Sequence, residues 1–224
     1  VRVDAGGNHL RMFAVYADCT AVYLECRKHL ITSPVSGLYI LKNGGKCGIM
    51  NEALIGVQIR IWRGRYNMNL IIRRFRKSDA SSVRNLIVRN FLEVNSKDYG
   101  IEAMRQLAEV YDEKKVINIA SYAHMYVFEV ERTIVGTGSI SSYWGSETES
   151  ILLTIFVLPE YHGKGIGTTI MNTLERDELF IRAKRIEIPA SITATEFYKK
   201  FGYGYKNGVK ELDEEHHYRL EKYR

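Results

Sequence analysis

Three glycines, Gly163, Gly165 and Gly167, stand where an apolar run ends and a helical pattern begins. The run is Ile151–Val157. It is too short for an ordinary helix and free of helix breakers, so it reads as a strand buried on both faces. The helical pattern is Ile166–Leu174. Glycine allows the tight turn between them and lets a ligand approach the backbone with no Cβ in the way. The first amides of a helix have no internal acceptor, and that end carries about half a positive charge. Strand, glycine loop and helix start together predict an anion site suited to a phosphate or pyrophosphate. Taken alone, the same stretch is also compatible with a purely structural turn.

Two common phosphate motifs do not fit. Gly163-Lys164 lacks the spacing of a P-loop. A G-x-G-x-x-G fingerprint would need glycine at 168 or 170, where Thr and Ile stand. The stretch instead resembles the acetyl-CoA motif of the GNAT superfamily of N-acetyltransferases, in which a strand ending V-x-P leads into Q/R-x-x-G-x-G/A. Val157-Leu-Pro159 followed by His162-x-x-Gly165-x-Gly167 keeps that spacing, with His162 at the Gln or Arg position. A second segment, Ala194-Thr-Glu-Phe197-Tyr198-Lys-Lys-Phe-Gly202-Tyr203, resembles the family's A-x-x-F-Y-x-K-x-G-F, with Tyr203 for the last Phe. The resemblance covers about Leu70 to Lys222. It implies an α/β (α+β) GNAT fold: a central mixed, mostly antiparallel twisted sheet, flanked by helices and splayed at the central strand to admit acetyl-CoA.

The resemblance also implies roles. Acetyl-CoA is the cosubstrate, its pyrophosphate held by the backbone of His162, Gly163, Lys164, Gly165, Ile166, Gly167 and Thr168. Its pantetheine lies along the central strand at Ile155 and Val157, and the N–H of Ile155 faces the thioester oxygen as negative charge develops. Tyr198 falls beside the cofactor sulfur. A phenol is protonated at neutral pH and can donate to a departing thiolate, although a packed core tyrosine would look the same in sequence. Some members carry a basic Glu on the strand six residues before the motif Val; here that position is Ile151. Glu149, two residues earlier and on the same strand face, is the candidate base, with Glu147 and the His216-His217 pair as alternatives. Adjacent histidines on a strand point to opposite faces, so at most one would face a cleft. Neither H-E-x-x-H nor another metal-ligand spacing occurs, and no metal is expected.

The elements that must position these residues follow in order. Leu70–Phe75 reads as a strand. Ser78 or Asp79 can cap a helix carrying Val83, Leu86, Ile87, Phe91 and Val94, and Ile101, Met104, Leu107, Ala108 and Tyr111 mark a second. Tyr99 and Arg105 on these helices could border a substrate cleft. Ala123–Glu131 and Thr133–Tyr143 form a hairpin, with Tyr143 and Trp144 in the loop before the central strand, where aromatic rings could hold a cationic amine. The glycine loop and its helix at about 163–179, a strand at Arg185–Ile188, a helix at Thr193–Phe201 stopped by Gly202, and one or two strands within 209–222 complete the chain.

Composition bounds the partners. The pI near 9.1 invites a nucleic-acid reading, but the charge is uneven: residues 1–67 hold a net +5 and residues 68–224 a net +1. A nearly neutral main domain argues against a polyanion partner. Cys19, Cys26 and Cys47 are all in the first segment and match neither a zinc pattern nor a closed disulfide set. No apolar stretch could span a membrane and no secretory leader is visible, which fits a cytoplasmic protein. Residues 1–67 resemble nothing familiar beyond a hairpin pattern around Asn43-Gly-Gly45. Trp62-Arg63-Gly64 can be encoded by a purine-rich ribosome-binding sequence just upstream of Met68. The expectation is therefore a natural start at Met68 and a single domain, 68–224, with an accessory role for 1–67 as the alternative. The functional expectation is an N-acetyltransferase moving acetyl from acetyl-CoA to a small-molecule or peptide amine, with a homodimer open. A non-catalytic acetyl-CoA-binding module is the alternative, and a protein holding another nucleotide at the glycine loop is a weaker third.

Overall fold

The computed structural model describes the side chains of residues 68–224 and, before them, only the backbone of strands. The chain divides between Val57 and Gln58 into two compact units. In the first, β1 (Val22–Leu24), β2 (Leu38–Asn43) and β3 (Lys46–Asn51) form a sheet in the order β1-β3-β2. β2 and β3 pair antiparallel from Leu38↔Asn51 to Asn43↔Lys46, the hairpin read around Asn43. Cys19 and Cys26 lie outside the described residues.

The second unit is built on an eight-stranded sheet. Its strands are β4 (Val57–Arg63), β5 (Tyr66–Arg74), β6 (His124–Val130), β7 (Thr133–Ser142), β8 (Glu149–Val157), β9 (Arg185–Ala190), β10 (Gly204–Tyr205) and β11 (Tyr218–Tyr223). They are ordered β10-β11-β9-β8-β7-β6-β5-β4. The β8–β9 pair is parallel, and the other pairs from β5 to β11 are antiparallel. β4 and the start of β5 precede Met68, so the sheet reaches further toward the N-terminus than the expected boundary at 68.

Between β5 and β6 run α1 (Ala80–Asn90), a wider π-helical turn at Phe91–Asn95, α2 (Ser96–Tyr99), α3 (Ile101–Val110) and α4 (Glu113–Tyr122). The expected stripe Val83, Leu86, Ile87 and Phe91 is buried, at 0 to 6 % exposure. Asp79 does not cap α1. Its carboxylate takes the guanidinium of Arg73 at 2.7 Å and the amide of Arg76 at 2.7 Å. The sequence reading missed α4, whose amphipathic stripe is thin. Its start is fixed by Asp112, which accepts the Lys115 amide at 2.8 Å.

After β8 come α5 (Ile166–Leu174), α6 (Glu178–Arg182) and, after β9, α7 (Thr195–Lys199). The single helix expected after the glycine loop, within about 163–179, is thus two. Asp177 starts the second by accepting the Leu179 amide at 2.9 Å. The β6–β7 hairpin turns on Glu131 and Arg132, both left-handed at φ 48° and 65°. Gly202 ends the α7 segment at φ 85°, as expected.

Two features shape the middle of the sheet. Gly136 and Gly138 on β7 lie beneath α5. A Cβ on Gly138 would come within 2.5 Å of Ile170 Cγ2, so glycine is what lets the helix seat there. Opposite Gly138 the β7–β8 register slips by one residue, between Thr137↔Phe156 and Ser139↔Leu153. Thr154 takes up the slip at φ 50°, a conformation disfavoured for a β-branched residue. Its hydroxyl is tied to that of Ser139 at 2.5 Å. Beyond the bulge Ile155 lies under the α5 side of Gly138, while Phe156 meets Phe91 after α1. Helices therefore flank the sheet on both faces.

Candidate active site

β8 and β9 are paired only from Glu149↔Arg185 to Ile151↔Glu187. Past Ile151 the two strands part, and the sheet splays. The expectation of a strand buried on both faces therefore holds for Leu152 at 0 % exposure but not beyond it: Leu153 to Val157 are only half-buried. They line a cleft of about 1570 Å³. Pockets for one small ligand are roughly 300–1,000 Å³, so this cleft is larger than one such ligand needs.

At one end of the cleft β8 runs through a short 3-10 turn, Pro159–Tyr161, into the glycine loop. Gly163 and Gly165 are left-handed, at φ 72° and 87°, and Gly165 is the residue from which α5 starts. Gly167 serves differently: it lies in the helix, where a Cβ would sit 3.2 Å from Phe197 Cζ, so it admits the α7 ring. The amides divide as well. His162 and Lys164 donate to the carbonyls of Pro159 and Tyr161, at 3.1 and 3.4 Å. Among the described residues, the amides of Gly163, Gly165, Ile166, Gly167 and Thr168 have no protein acceptor, and the first internal bond of α5 is Thr169 to Gly165 at 3.0 Å. Five free donors at the head of a helix form a site for an anion. The His162 ring, at the departure from the motif, braces this geometry: its Nε2 donates to the Val157 carbonyl at 2.9 Å. The Lys164 ammonium lies over the Tyr161 ring at 4.7 Å.

α7 closes the same side. Tyr198 is 6 % exposed, packs edge-on against Phe197 at 5.3 Å and lines the cleft. Burial raises its pKa above the usual phenol value, so the hydroxyl stays protonated at neutral pH and is a donor.

The candidate bases fare differently. Glu149 does not line the cleft. It pairs with Arg185 at 3.2 Å, in a network where Arg185 also holds Glu187 and Glu221, and Arg219 and Lys206 close on Glu187. It lies where β8 is still paired to β9, before the splay begins, which is why strand alternation alone misled. The Glu147 carbonyl accepts from Arg182 and the residue stays outside the cleft. His216 and His217 both line it, because they lie in a turn before β11, with His216 at φ 60°, rather than on a strand. His217 Nδ1 is buried without a hydrogen-bond partner and lies 3.7 Å from the Glu215 carboxylate.

Tyr99 lines the cleft, as the sequence suggested; Arg105 does not and pairs with Glu102. Trp144 is 91 % exposed, and Tyr143 is covered by Arg185 and Lys206, so neither borders the cleft. Three contributors lay beyond sequence reasoning. They are the Thr154 bulge, the wall formed by Phe91, Tyr111 and Phe156, and the bond from Thr193 to Asp98 that bridges the two walls. Only the π-helical turn after Phe91, visible in three dimensions, marks that wall as unusual.

A sheet splayed beside its central strand, with a glycine loop heading the next helix, is the architecture of the GNAT acetyltransferases. Residues 121–204 match the family model described as an acetyltransferase (GNAT) domain. Over those residues the chain is similar to a GNAT acetyltransferase domain. No curated protein matches the chain. Among solved structures it is similar to the PaiA N-acetyltransferase of Thermoplasma acidophilum in complex with coenzyme A. That likeness has a TM-score of 0.60 and 18% identity, covering 70% of this chain and 100% of that one. A GCN5-related N-acetyltransferase of Rhodopseudomonas palustris aligns at TM-score 0.57 and 23% identity, over 68% of this chain and 94% of its own. Ard1 of Thermoplasma volcanium aligns at 0.51 and 20%, over 69% and 97%. Among the described residues no helix is long and apolar enough to cross a membrane, and no group of acidic, His and Cys side chains could hold a metal.

Proposed function

We propose that this protein is an acetyl-CoA-dependent N-acetyltransferase that transfers the acetyl group directly to a primary amine while both reactants occupy the cleft. One observation carries the reading: the open edge of β8 leads straight into a loop whose five free amides head a helix. A pyrophosphate fits those donors, and an extended pantetheine fits an unpaired strand edge. The Thermoplasma acidophilum protein, which shares the fold, holds coenzyme A.

Bound acetyl-CoA would supply an activated carbonyl and a thiol leaving group. The chain supplies the rest. The amides of Gly163 and of residues 165–168 would hold the diphosphate, while His162 and Lys164 keep the loop in shape. Ile155 and Val157 offer backbone groups along the pantetheine. The bulge at Thr154 re-aims the N–H of Ile155, the donor for the carbonyl oxygen as charge develops. Tyr198 donates its proton to the sulfur. Transfer forms one C–N bond and breaks one C–S bond; the ammonium nitrogen gives up two protons and keeps one in the amide, while the sulfur gains one and one is released. Water or the His217 ring receives the nitrogen's proton, since no carboxylate on β8 reaches the cleft.

That last point favours a second reading, a non-catalytic module that binds acetyl-CoA: Ile151 replaces the strand carboxylate and Glu149 is engaged elsewhere. Thermal shift with acetyl-CoA, CoA and ATP, followed by thiol release over a panel of amines, separates the cases. Stabilisation by acetyl-CoA and CoA with thiol release supports the enzyme. Stabilisation with no release from any amine supports the module, and stabilisation by ATP alone refutes both.

A further inference from the structure

The two halves of the cleft differ in chemistry. One half faces α5 and α7 and holds the free amides and Tyr198. The other faces the helices between β5 and β6, and its wall is a run of edge-on rings. Tyr111 meets Phe91 at 5.4 Å and Phe91 meets Phe156 at 5.8 Å, with Met104, Leu107 and Ile119 completing the lining. Charge is sparse around it. Asp98 and Glu215 are the carboxylate residues among the described residues that line the cleft. Asp98 is already satisfied, accepting from Thr193 through its amide at 2.9 Å and its hydroxyl at 2.5 Å. Glu215 lies beside His217, 3.7 Å from its Nδ1. On the aromatic wall itself stands a cation, the Lys115 ammonium, 5.1 Å over the Tyr111 ring.

A polyamine or an aminosugar carries several positive charges along its length. Here two carboxylates already engaged by Thr193 and His217, and a resident lysine, would leave most of them unpaired or repelled, which is strongly disfavoured away from bulk water. An apolar stem, by contrast, gains from burial against the rings, and aromatic stems gain further from edge-on packing. Resting on the acetyl-transfer reading above, we infer that the acceptor is a primary amine with a single positive charge on a short apolar or aromatic stem. The stem lies against the half-buried Leu107, Ile119 and Phe156, with Phe91 and Tyr111 packed behind them. Transfer to it yields an amide, a free thiol and one released proton.

The full chain is first titrated with acetyl-CoA by calorimetry. Thiol release is then measured at fixed pH with 2-phenylethylamine, a peptide beginning with Phe, spermidine and kanamycin. The expected result is a kcat/KM for phenylethylamine or the Phe peptide at least tenfold above that for either polycation; the first two arms tell a free amine from a peptide end. Tyr122→Ala alters a ring at the rim of the lining that is 55 % exposed, so the variant keeps its fold. It should lower kcat/KM for the preferred amine about tenfold. Lys115→Glu should raise that for spermidine at least fivefold. Equal or better use of spermidine or kanamycin overturns the inference while leaving acetyl transfer standing, as does acetyl-CoA binding without turnover of any of the four amines. Failure to bind acetyl-CoA removes the underlying reading and this one with it.

Discussion

Tyr198 and Tyr203 are both buried phenols on the α7 side, and they ask for opposite outcomes from the same substitution. Tyr198 lines the cleft, and its hydroxyl is held protonated by burial. Tyr198→Phe should lower kcat about 100-fold, within the range of general-acid contributions. It should leave the acetyl-CoA dissociation constant within about twofold, as single-turnover and calorimetric measurements can check. Tyr203 is 2 % exposed and its hydroxyl has no hydrogen-bond partner. Leaving such a group unsatisfied costs about 1–3 kcal/mol, and Phe keeps the ring packing without it. Tyr203→Phe should therefore raise the unfolding free energy by about 1 kcal/mol in urea denaturation, with turnover unchanged. A loss of stability there would mean that the hydroxyl is satisfied by water.

Among the elements, β7 and α5 are the pair on which the anion site depends. Their close seating needs Gly138, where an added methyl would lie 2.5 Å from Ile170. Gly138→Ala should destabilise the protein by about 1–3 kcal/mol through overpacking. It should also weaken acetyl-CoA binding, because lifting α5 moves the amides that α5 presents; a normal affinity in the variant would show the loop to be positioned independently of the sheet. Much at this level was legible in the sequence. The strand, glycine loop and helix around 151–174, the hairpin before them and the Gly202 stop all follow from local spacing and backbone freedom. What escaped depends on pairing across the sheet or on side-chain caps. The Thr154 slip exists only relative to β7. The start of α4 rests on one Asp112 side chain, and the break between α5 and α6 on Asp177. Glu149 was misjudged because alternation fixes a face of the strand, not where along it the neighbouring strand departs.

For the molecule as a whole, the sheet begins before Met68. β4 and the first two residues of β5 would be missing from a chain that starts at Met68. β5 would still pair with β6 from Ile71↔Glu129 to Arg74↔Tyr126, and the cleft lies beyond β6 and β7 on the other side of the sheet. A chain of residues 68–224 should therefore fold, melt a few degrees lower for the lost edge strand, and bind acetyl-CoA with unchanged affinity. Circular dichroism melting and calorimetry measure both. Failure to fold would make residues before 68 part of the domain and end the expectation of a start at Met68.

The hairpin between β6 and β7 has a further consequence. Glu131 and Arg132 both occupy left-handed backbone, which costs roughly 1–2 kcal/mol at a residue bearing a side chain. Asn-Gly is the pair that adopts this two-residue turn without that penalty. The wild-type sequence thus leaves a reserve of robustness untapped at a site well away from the reacting atoms. Installing Asn-Gly first would let otherwise ruinous replacements in the cleft be purified and assayed, so that lost catalysis could be told apart from lost protein.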